Sequence, residues 1–307
     1  MKLGFSNKDI KKKTNDSTYI KTNISYKAED GSWKVLAVKL RVRGYFRLGK
    51  CYFPPIKIKI SKAAGKGTLF EGNKKSKLVL PCFPQKGKND FIIKEYMAYK
   101  LYEIISPYNF KTRLTSILFT EDKGKKTKTF DLKGILIEDY KNVAKRYGGK
   151  VIERTIHPLS QDPVTSVRNA FFQFMIGNVD FSTYARHNVK LLYVNKKIIP
   201  FPYDFDLSGL VNSSYAEVLV INDVPVTSTV TERLYRGFKR DQSIILQVRK
   251  EFLDNKTKLL QTVDSMEPFF DNPKEFLKAK NYISDFFEIL INDGRFKKEI
   301  INKLRTK

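Results

Sequence analysis

Residues 177–209 read GNVDFSTYARHNVKLLYVNKKIIPFPYDFDLSG, and the rest of the chain is interpreted outward from them. Asp180, Asn188, Asp204 and Asp206 stand around two short apolar runs, 189–194 and 198–201. Two runs of that length joined by the polar Asn195-Lys196-Lys197 predict a β-hairpin. Such a hairpin brings the segment ending at Asn188 beside the one beginning at Asp204. Oxygen ligands at those two points suit one Mg²⁺, which takes a few carboxylate or amide oxygens and fills its octahedron with water and substrate phosphates. Asp and Asn also occur at strand ends simply because they make turns. Four of them in this order around one hairpin favour the metal-site reading, with Asn188 and Asp204 as ligands and Asp206 as a second carboxylate.

Phosphoryl-transfer enzymes of the protein-kinase type follow the same order: a catalytic Asp, a Mg²⁺-binding Asn, a hairpin, then an Asp-Phe-Gly Asp.

Composition sets the outer limits. The chain has 307 residues, 41% hydrophobic and 13% aromatic, enough for a substantial core in one large or two ordinary domains. No apolar run approaches the roughly 18 residues of a membrane span. The opening MKLGFSNKDIKKK lacks the apolar stretch of a secretory signal. The chain as given is thus expected to be cytoplasmic, or exported to the cell envelope if a precursor segment has been removed.

The formal charge is +26, from 58 Lys and Arg against 32 Asp and Glu. A field of that sign favours anionic partners: nucleotide phosphates, acidic protein segments, nucleic acid or anionic lipid. The excess is spread in small clusters at 11–13, 74–77 and 123–128. Short Lys runs of this kind mark solvated turns, so specific nucleic-acid binding is not expected. Cys51 and Cys82 are the only cysteines. Each sits beside a strand-like run, as a buried free thiol or as half of one disulfide; without a His neighbour they do not make a zinc site.

In chain order, residues 17–26 and 33–43 alternate as strands do. After Pro54-Pro55, Ile56-Lys57-Ile58-Lys59-Ile60 keeps a strict period of two, which predicts a strand with one face buried. Gly65-Lys66-Gly67 reads as a flexible turn, and 76–80 as a third strand. Asn89 or Asp90 caps a helix that ends near Ser106-Pro107. Three strands and then a helix match the front of a kinase small lobe, where a strand Lys grips the nucleotide phosphates and pairs with a helix Glu. Lys77 and Glu95 occupy those places, with Lys57 and Lys59 as rivals for the Lys. Residues 112–119 and 129–138 predict two more strands. On that plan the backbone near Ile137 and Glu138 meets the adenine edge, and Arg43 beside Gly44 reaches the phosphates. Further on, the sequence predicts a short helix from Asp139 or Asn142 to Gly148-Gly149, a longer one from Pro163, and amphipathic helices at 241–256, 274–291 and 294–305. Loops around 212–214 and 227–229 are candidate contacts for a protein substrate.

Several of these pieces resemble the spore-coat CotH-like atypical kinase family and its bacterial relatives. The resemblance rests on Val42-Arg43-Gly44, Lys94-Glu95-Tyr96 with 98–102, Ile137-Glu138-Asp139, 176–180, His187-Asn188 and 202–206. It implies an α+β, bilobal protein-kinase-like fold: a β-rich nucleotide-binding lobe over 1–137 and a mainly helical lobe over 138–307, together one kinase-like unit. It also implies ATP with Mg²⁺ or Mn²⁺ as cofactors and Ser or Thr of a protein as acceptor. Asp180 then corresponds to the catalytic base, Asn188 to a metal ligand, Asp204 to the main metal ligand and Asp206 to a second. Seven residues separate Asp180 from Asn188, against four in the usual catalytic loop. Arg186 and His187 lie inside this longer loop, to support phosphate or to orient it. Two other functions compete: a pseudokinase or nucleotide-binding scaffold, and a basic polyanion-binding structural protein.

Overall fold

The computed structural model describes every residue except Tyr45, Lys86 and Lys307. The chain divides into two compact units: residues 1–92 with 111–142, and residues 93–110 with 143–307.

The first unit overturns the expected bilobal kinase-like fold. Its strands β1 (Lys2–Phe5), β2 (Ile20–Lys27), β3 (Trp33–Val42), β4 (Ile56–Lys59), β5 (Lys75–Val79), β6 (Thr112–Asp122) and β7 (Thr127–Glu138) form a closed barrel in the order β1-β2-β3-β4-β5-β7-β6. The closing strand β1 has four residues, as few as β4, and no strand is expected there from the sequence. β1 pairs antiparallel with β2 through Lys2 and Leu3, and parallel with β6 from Lys2↔Leu118 to Phe5↔Glu121. An open sheet would leave the free backbone edges of β2 and β6 exposed to other chains; closure removes both. Leu3 and Phe5 point inward to a core shared with Ile24, Leu36, Leu40, Ile58, Phe53, Phe119 and Phe130.

Period-two alternation places these side chains. Along β3 and β4, Leu36, Val38, Leu40, Val42, Ile56 and Ile58 are buried, while Lys39 and Lys59 between them face water. Strand β2 begins at Ile20 rather than residue 17 because the Asn15 carboxamide accepts from the backbone N–H groups of Ser17 and Thr18 and turns the chain first. Three short helices, α1 (Asn7–Lys13), α2 (Phe46–Lys50) and α3 (Lys62–Gly65), and the start of α4 (Asn89–Ile105) complete the run. No periodic pattern marks α1 and α2, and α3 occupies part of the predicted flexible turn. The Ser61 hydroxyl caps α3 by accepting from the Ala64 N–H. Cys51 and Cys82 are joined as a disulfide with a Cα–Cα distance of 4.6 Å.

The second unit surrounds a helical core. Its further elements are α5 (Tyr140–Arg146, which begins in the first unit), β8 (Lys150–Ile152), α6 (Pro163–Met175), β9 (Val189–Val194), β10 (Lys197–Pro202), β11 (Val220–Ile221), β12 (Val224–Pro225), α7 (Gln242–Asp254), α8 (Lys256–Asp264), α9 (Pro273–Ile291) and α10 (Asp293–Glu299). The predicted hairpin is present as β9–β10, with β8 as a third strand. Its turn is the two-residue Asn195-Lys196, both with positive φ, the geometry that matches the twist of the flanking strands. The apolar run of α6 packs Phe171 and Phe174 against Phe252 of α7 and Phe286 of α9. Among the described residues no helix is long and apolar enough to cross a membrane.

Candidate functional site

The site is assembled where α6 stops. Asp162 caps the start of α6, its carboxylate accepting from the Thr165 N–H at 3.0 Å, and Pro163 occupies the first turn. Burial alone would raise the Asp162 carboxyl, but the bonds from Thr165 and Lys197 hold it below its usual range. At the other end the chain turns at Gly177, with φ +61°, and a Cβ there would lie 1.9 Å from the Tyr282 hydroxyl. Only glycine fits this position without displacing Tyr282.

Beyond Gly177, a series of local bonds draws the four predicted oxygen-bearing residues into one region. The Asn178 carboxamide accepts from the Asp180 N–H at 3.0 Å. Ser182 and His187 then form a miniature β-bridge, with N–H to carbonyl bonds of 3.0 and 2.9 Å, around the turn 183–186. This bridge closes the long loop, so seven residues of sequence bring Asp180 back against His187 and Asn188. His187 Nε2 lies 2.9 Å from Asp180 Oδ1, and Asn188 Nδ2 donates to Asp180 Oδ2 at 2.9 Å and to its carbonyl at 2.8 Å.

The second segment is tied to the first by backbone. Tyr203 N–H donates to the Asn188 carbonyl at 2.9 Å, and the N–H groups of Gly209 and Leu210 donate to the carbonyls of Gly177 and Ile176. Asp204 therefore follows directly on the residue bonded to Asn188. Its φ is +66°, and Asn188 has φ +52°. Non-glycine residues in this region cost roughly 1–2 kcal/mol each and cluster where function requires a fixed geometry. The Tyr99 hydroxyl of α4 accepts from the Asp204 N–H at 3.0 Å, and its ring packs 4.7 Å from that of Phe205. Phe205 is itself fully buried against Phe172 of α6. The phenylalanine between the two aspartates is thus the peg that fixes both.

The chemistry of the donors differs from residue to residue. With Asn188 Nδ2 given to Asp180, its Oδ1 is the amide atom left to meet a cation. The Asp204 carboxylate is half-buried and has no hydrogen-bond or ion-pair partner among the described residues. Asp206 is buried, and its Oδ2 accepts from the Tyr215 hydroxyl at 2.8 Å. The bond to Asp180 raises the His187 imidazole above its ordinary range; burial opposes this, while the charges of Asp180 and Asp204 reinforce it. No cluster of three or more His, Cys, Asp or Glu able to hold a metal ion occurs among the described residues. This donor set is the wrong kind for a cation enclosed wholly by protein. It fits Mg²⁺, which needs one or two carboxylates and keeps its remaining positions for water and phosphate oxygens.

The remaining predicted residues are distributed over the molecule. Lys77 lies on β5, in register with Lys57 on one side and Ile137 on the other. Its rival Lys57 stands 3.7 Å from Asp139. Arg43 follows β3, its N–H bonded to the Pro55 carbonyl. Ile137 is buried inside β7 between β5 and β6. Glu138 closes that strand, exchanging bonds with Lys111: its N–H donates to the Lys111 carbonyl, and its carboxylate accepts from the Lys111 N–H at 2.6 Å. All of these belong to the first unit, while Glu95, buried on α4, belongs to the second with Asp180, Asn188, Asp204 and Asp206.

Sequence reasoning missed Arg236. Its guanidinium donates to the Val179 carbonyl beside Asp180 and covers the Phe181 ring at 5.6 Å. Burial and the nearby Arg305 push its pKa down, against the pull of Asp180. No motif announces it, since it lies more than fifty residues along the chain from the carbonyl it holds. With His157, Phe181, Tyr184, Phe238 and Arg305 it lines a pocket of about 480 Å³ on the flank of the Asp180 loop. Compared with known proteins, the sequence matches no family model and no curated protein.

Proposed function

We propose that the second unit carries a Mg²⁺-assisted phosphoryl-transfer site, with ATP as donor and a Ser or Thr hydroxyl of a protein as acceptor. The observation that carries this reading is Asp204: a carboxylate without a hydrogen-bond or ion-pair partner among the described residues, set in left-handed backbone and pinned by Tyr99 beside the Asp180–His187–Asn188 group. An unpaired carboxylate held in a strained conformation costs stability, and a hard cation is the ligand that offsets this.

Asn188 Oδ1 and the Asp204 carboxylate would hold the metal, with Asp206 turned toward Tyr215 behind them. Bound there, Mg²⁺ supplies neutralisation of the charge that gathers on the transferred phosphoryl oxygens. The chain's own groups do the positioning. Asp180, its carboxylate fixed by two donors, accepts a hydrogen bond from the attacking hydroxyl. His187, held toward its cationic form, adds positive charge next to the incoming phosphoryl group. The flanking pocket lined by Phe181, Tyr184 and Arg236 gives the acceptor side chain room beside Asp180. Little covalent chemistry is asked of the protein; alignment and charge do the rest.

The test is an assay with γ-phosphate-labelled ATP and Mg²⁺ or Mn²⁺, comparing the native chain with Asp204→Asn and scoring both self-labelling and a generic acceptor such as casein. Label that requires Asp204 supports the reading. A chain that ATP stabilises thermally but never labels is a nucleotide-binding scaffold, and a chain that does neither has some other role for this carboxylate group.

The Cys51–Cys82 disulfide bears on where the protein works. Structural disulfides persist in oxidising compartments and are rare in reducing cytosol. We infer that the mature protein functions outside the cytoplasm, and mass spectrometry of the bond in protein from its native cells tests this.

A further inference from the structure

On the outer face of the barrel, strand register stacks like charges. Lys21 of β2 stands opposite Lys39 of β3, Lys39 opposite Lys59 of β4, and Lys59 opposite Lys75 of β5. One pleat further along, Arg41, Lys57 and Lys77 form a second row across β3, β4 and β5. The two rows differ in how they are compensated. Arg41 is bonded to Asp16 at 2.6 Å and Lys57 faces Asp139 at 3.7 Å. The four lysines of the first row are exposed and have no acidic partner among the described residues.

Like charges placed directly opposite each other across strands are destabilising, and period-two alternation does not require lysine at all four positions: threonine or glutamine would serve the solvent face equally. The row also borders a groove of about 450 Å³. Three lysines of the row, Lys21, Lys39 and Lys59, line it together with the small side chains Asn23 and Ala37 and with Ser61 at the start of α3, while Lys75 extends the row beyond it. Adjacent strands lie about 4.8 Å apart, so four lysines span roughly 14 Å. Each of the four lysines can neutralise one phosphate of a strand laid along the row. Cations set in one line beside a groove suit an extended anionic chain better than a flat bilayer. None of the residues lining the groove is aromatic, and the Tyr19 ring beside the row is already covered by Lys59 and Arg41 at 5.6 and 5.7 Å, so base stacking is not the mode of binding.

We propose that the Lys21–Lys39–Lys59–Lys75 row and its groove bind a single-stranded phosphodiester chain by its backbone, without sequence preference. This is independent of the phosphoryl-transfer site, since no residue of the row belongs to the second unit.

The test measures binding of two fluorescently labelled oligomers of equal length, oligodeoxythymidylate and its abasic counterpart, as a function of salt. The two should bind alike, with a slope of log affinity on log salt near −3, about −0.7 for each neutralised phosphate of a single strand. Tripling the salt should then weaken binding about twentyfold. Lys39→Gln/Lys59→Gln should weaken it about tenfold or more and bring the slope to about −1.5. Lys21→Gln/Lys75→Gln, at the ends of the row, should do the same, which guards against failure of one variant to fold. The control Lys125→Gln/Lys126→Gln removes equal charge from the β6–β7 turn and should keep the native slope. Equal losses in row and control variants would reduce the effect to net charge and overturn the proposal. So would binding of the thymidylate but not of the abasic chain, which means base recognition. Row-dependent sedimentation with phosphatidylglycerol vesicles, with neither oligomer bound, would assign the surface to a membrane instead. Absence of binding at low salt would refute it outright.

Discussion

The His187 imidazole Nε2 sits 2.9 Å from Asp180 Oδ1, while Asn188 Nδ2 holds Oδ2 of the same carboxylate at 2.9 Å. Consecutive residues thus grip the two oxygens of one aspartate, and the left-handed backbone at Asn188 makes that possible. In an ordinary extended strand, neighbouring side chains point to opposite faces.

His187 should titrate above its ordinary value of 6.5 because it bonds to Asp180. The folded value is raised, so the pair contributes stability that is fully present below 6.5 and is lost as pH rises through the folded value. With only two histidines in the chain, an NMR pH titration can follow His187 directly. Asp180→Asn should return its midpoint toward the ordinary value; a midpoint that does not move would remove the pairing from the account.

Asp204→Asn should separate function from stability. Asn tolerates the positive φ that Asp204 adopts, and the lost charge leaves no hydrogen-bond or ion-pair partner stranded among the described residues, removing only its minor share in raising His187. Its stability should therefore change by no more than surface substitutions do, about 0.5 kcal/mol. Phosphoryl transfer should fall by about 10²–10³-fold or more. Thermal unfolding measured beside the labelling assay decides this.

Tyr99→Phe should act through the backbone. It removes the acceptor for the Asp204 N–H, and an amide left without a partner costs about 1–3 kcal/mol. Urea unfolding gives the loss, and activity should fall with it because the Asp204 carboxylate loses its fixed position. A variant with native stability and native activity would show that the bond is dispensable.

Gly177→Ala combines strain with collision, since φ is +61° and the new Cβ would meet the Tyr282 hydroxyl at 1.9 Å. We expect a loss of about 3 kcal/mol. Tyr282→Phe takes away the colliding oxygen, along with the bond it donates to the Thr231 carbonyl. The double variant should therefore recover part of the loss and retain roughly 1 kcal/mol of left-handed strain. Strict additivity of the two single variants would contradict the collision.

Reduction of the Cys51–Cys82 bond, which spans a separation of 31 residues, should lower stability by about 3–4 kcal/mol on loop-entropy grounds. Calorimetry with and without reductant, set against a Cys51→Ser/Cys82→Ser variant, measures it.

The strand pattern and the helix of residues 89–105 were legible because period-two and helical alternation record which side of each element is buried. The β9–β10 hairpin was legible too, from two apolar runs and a polar turn. Its turn explains why Asn188 and Asp204 come together: the first strand begins directly after one residue, and the second ends two residues before the other. Those relationships are local, and sequence alone determined them. Closure of the barrel is a different matter. β1 is four residues long, too short to show a period, and its partners lie about twenty and more than a hundred residues away. Its role follows from the need to satisfy two sheet edges at once, which no local pattern encodes. Likewise Asp180 was marked as a candidate by its type, but its bonds to His187 and Asn188 depend on the Ser182–His187 bridge and on left-handed backbone. Arg236 reaches the same loop from a distant segment, and the lysine row exists only because register aligns four strands that each looked merely amphipathic. Sequence records what each segment must bury; only tertiary structure decides which buried faces and exposed charges become neighbours, because that depends on pairings between residues far apart in the chain.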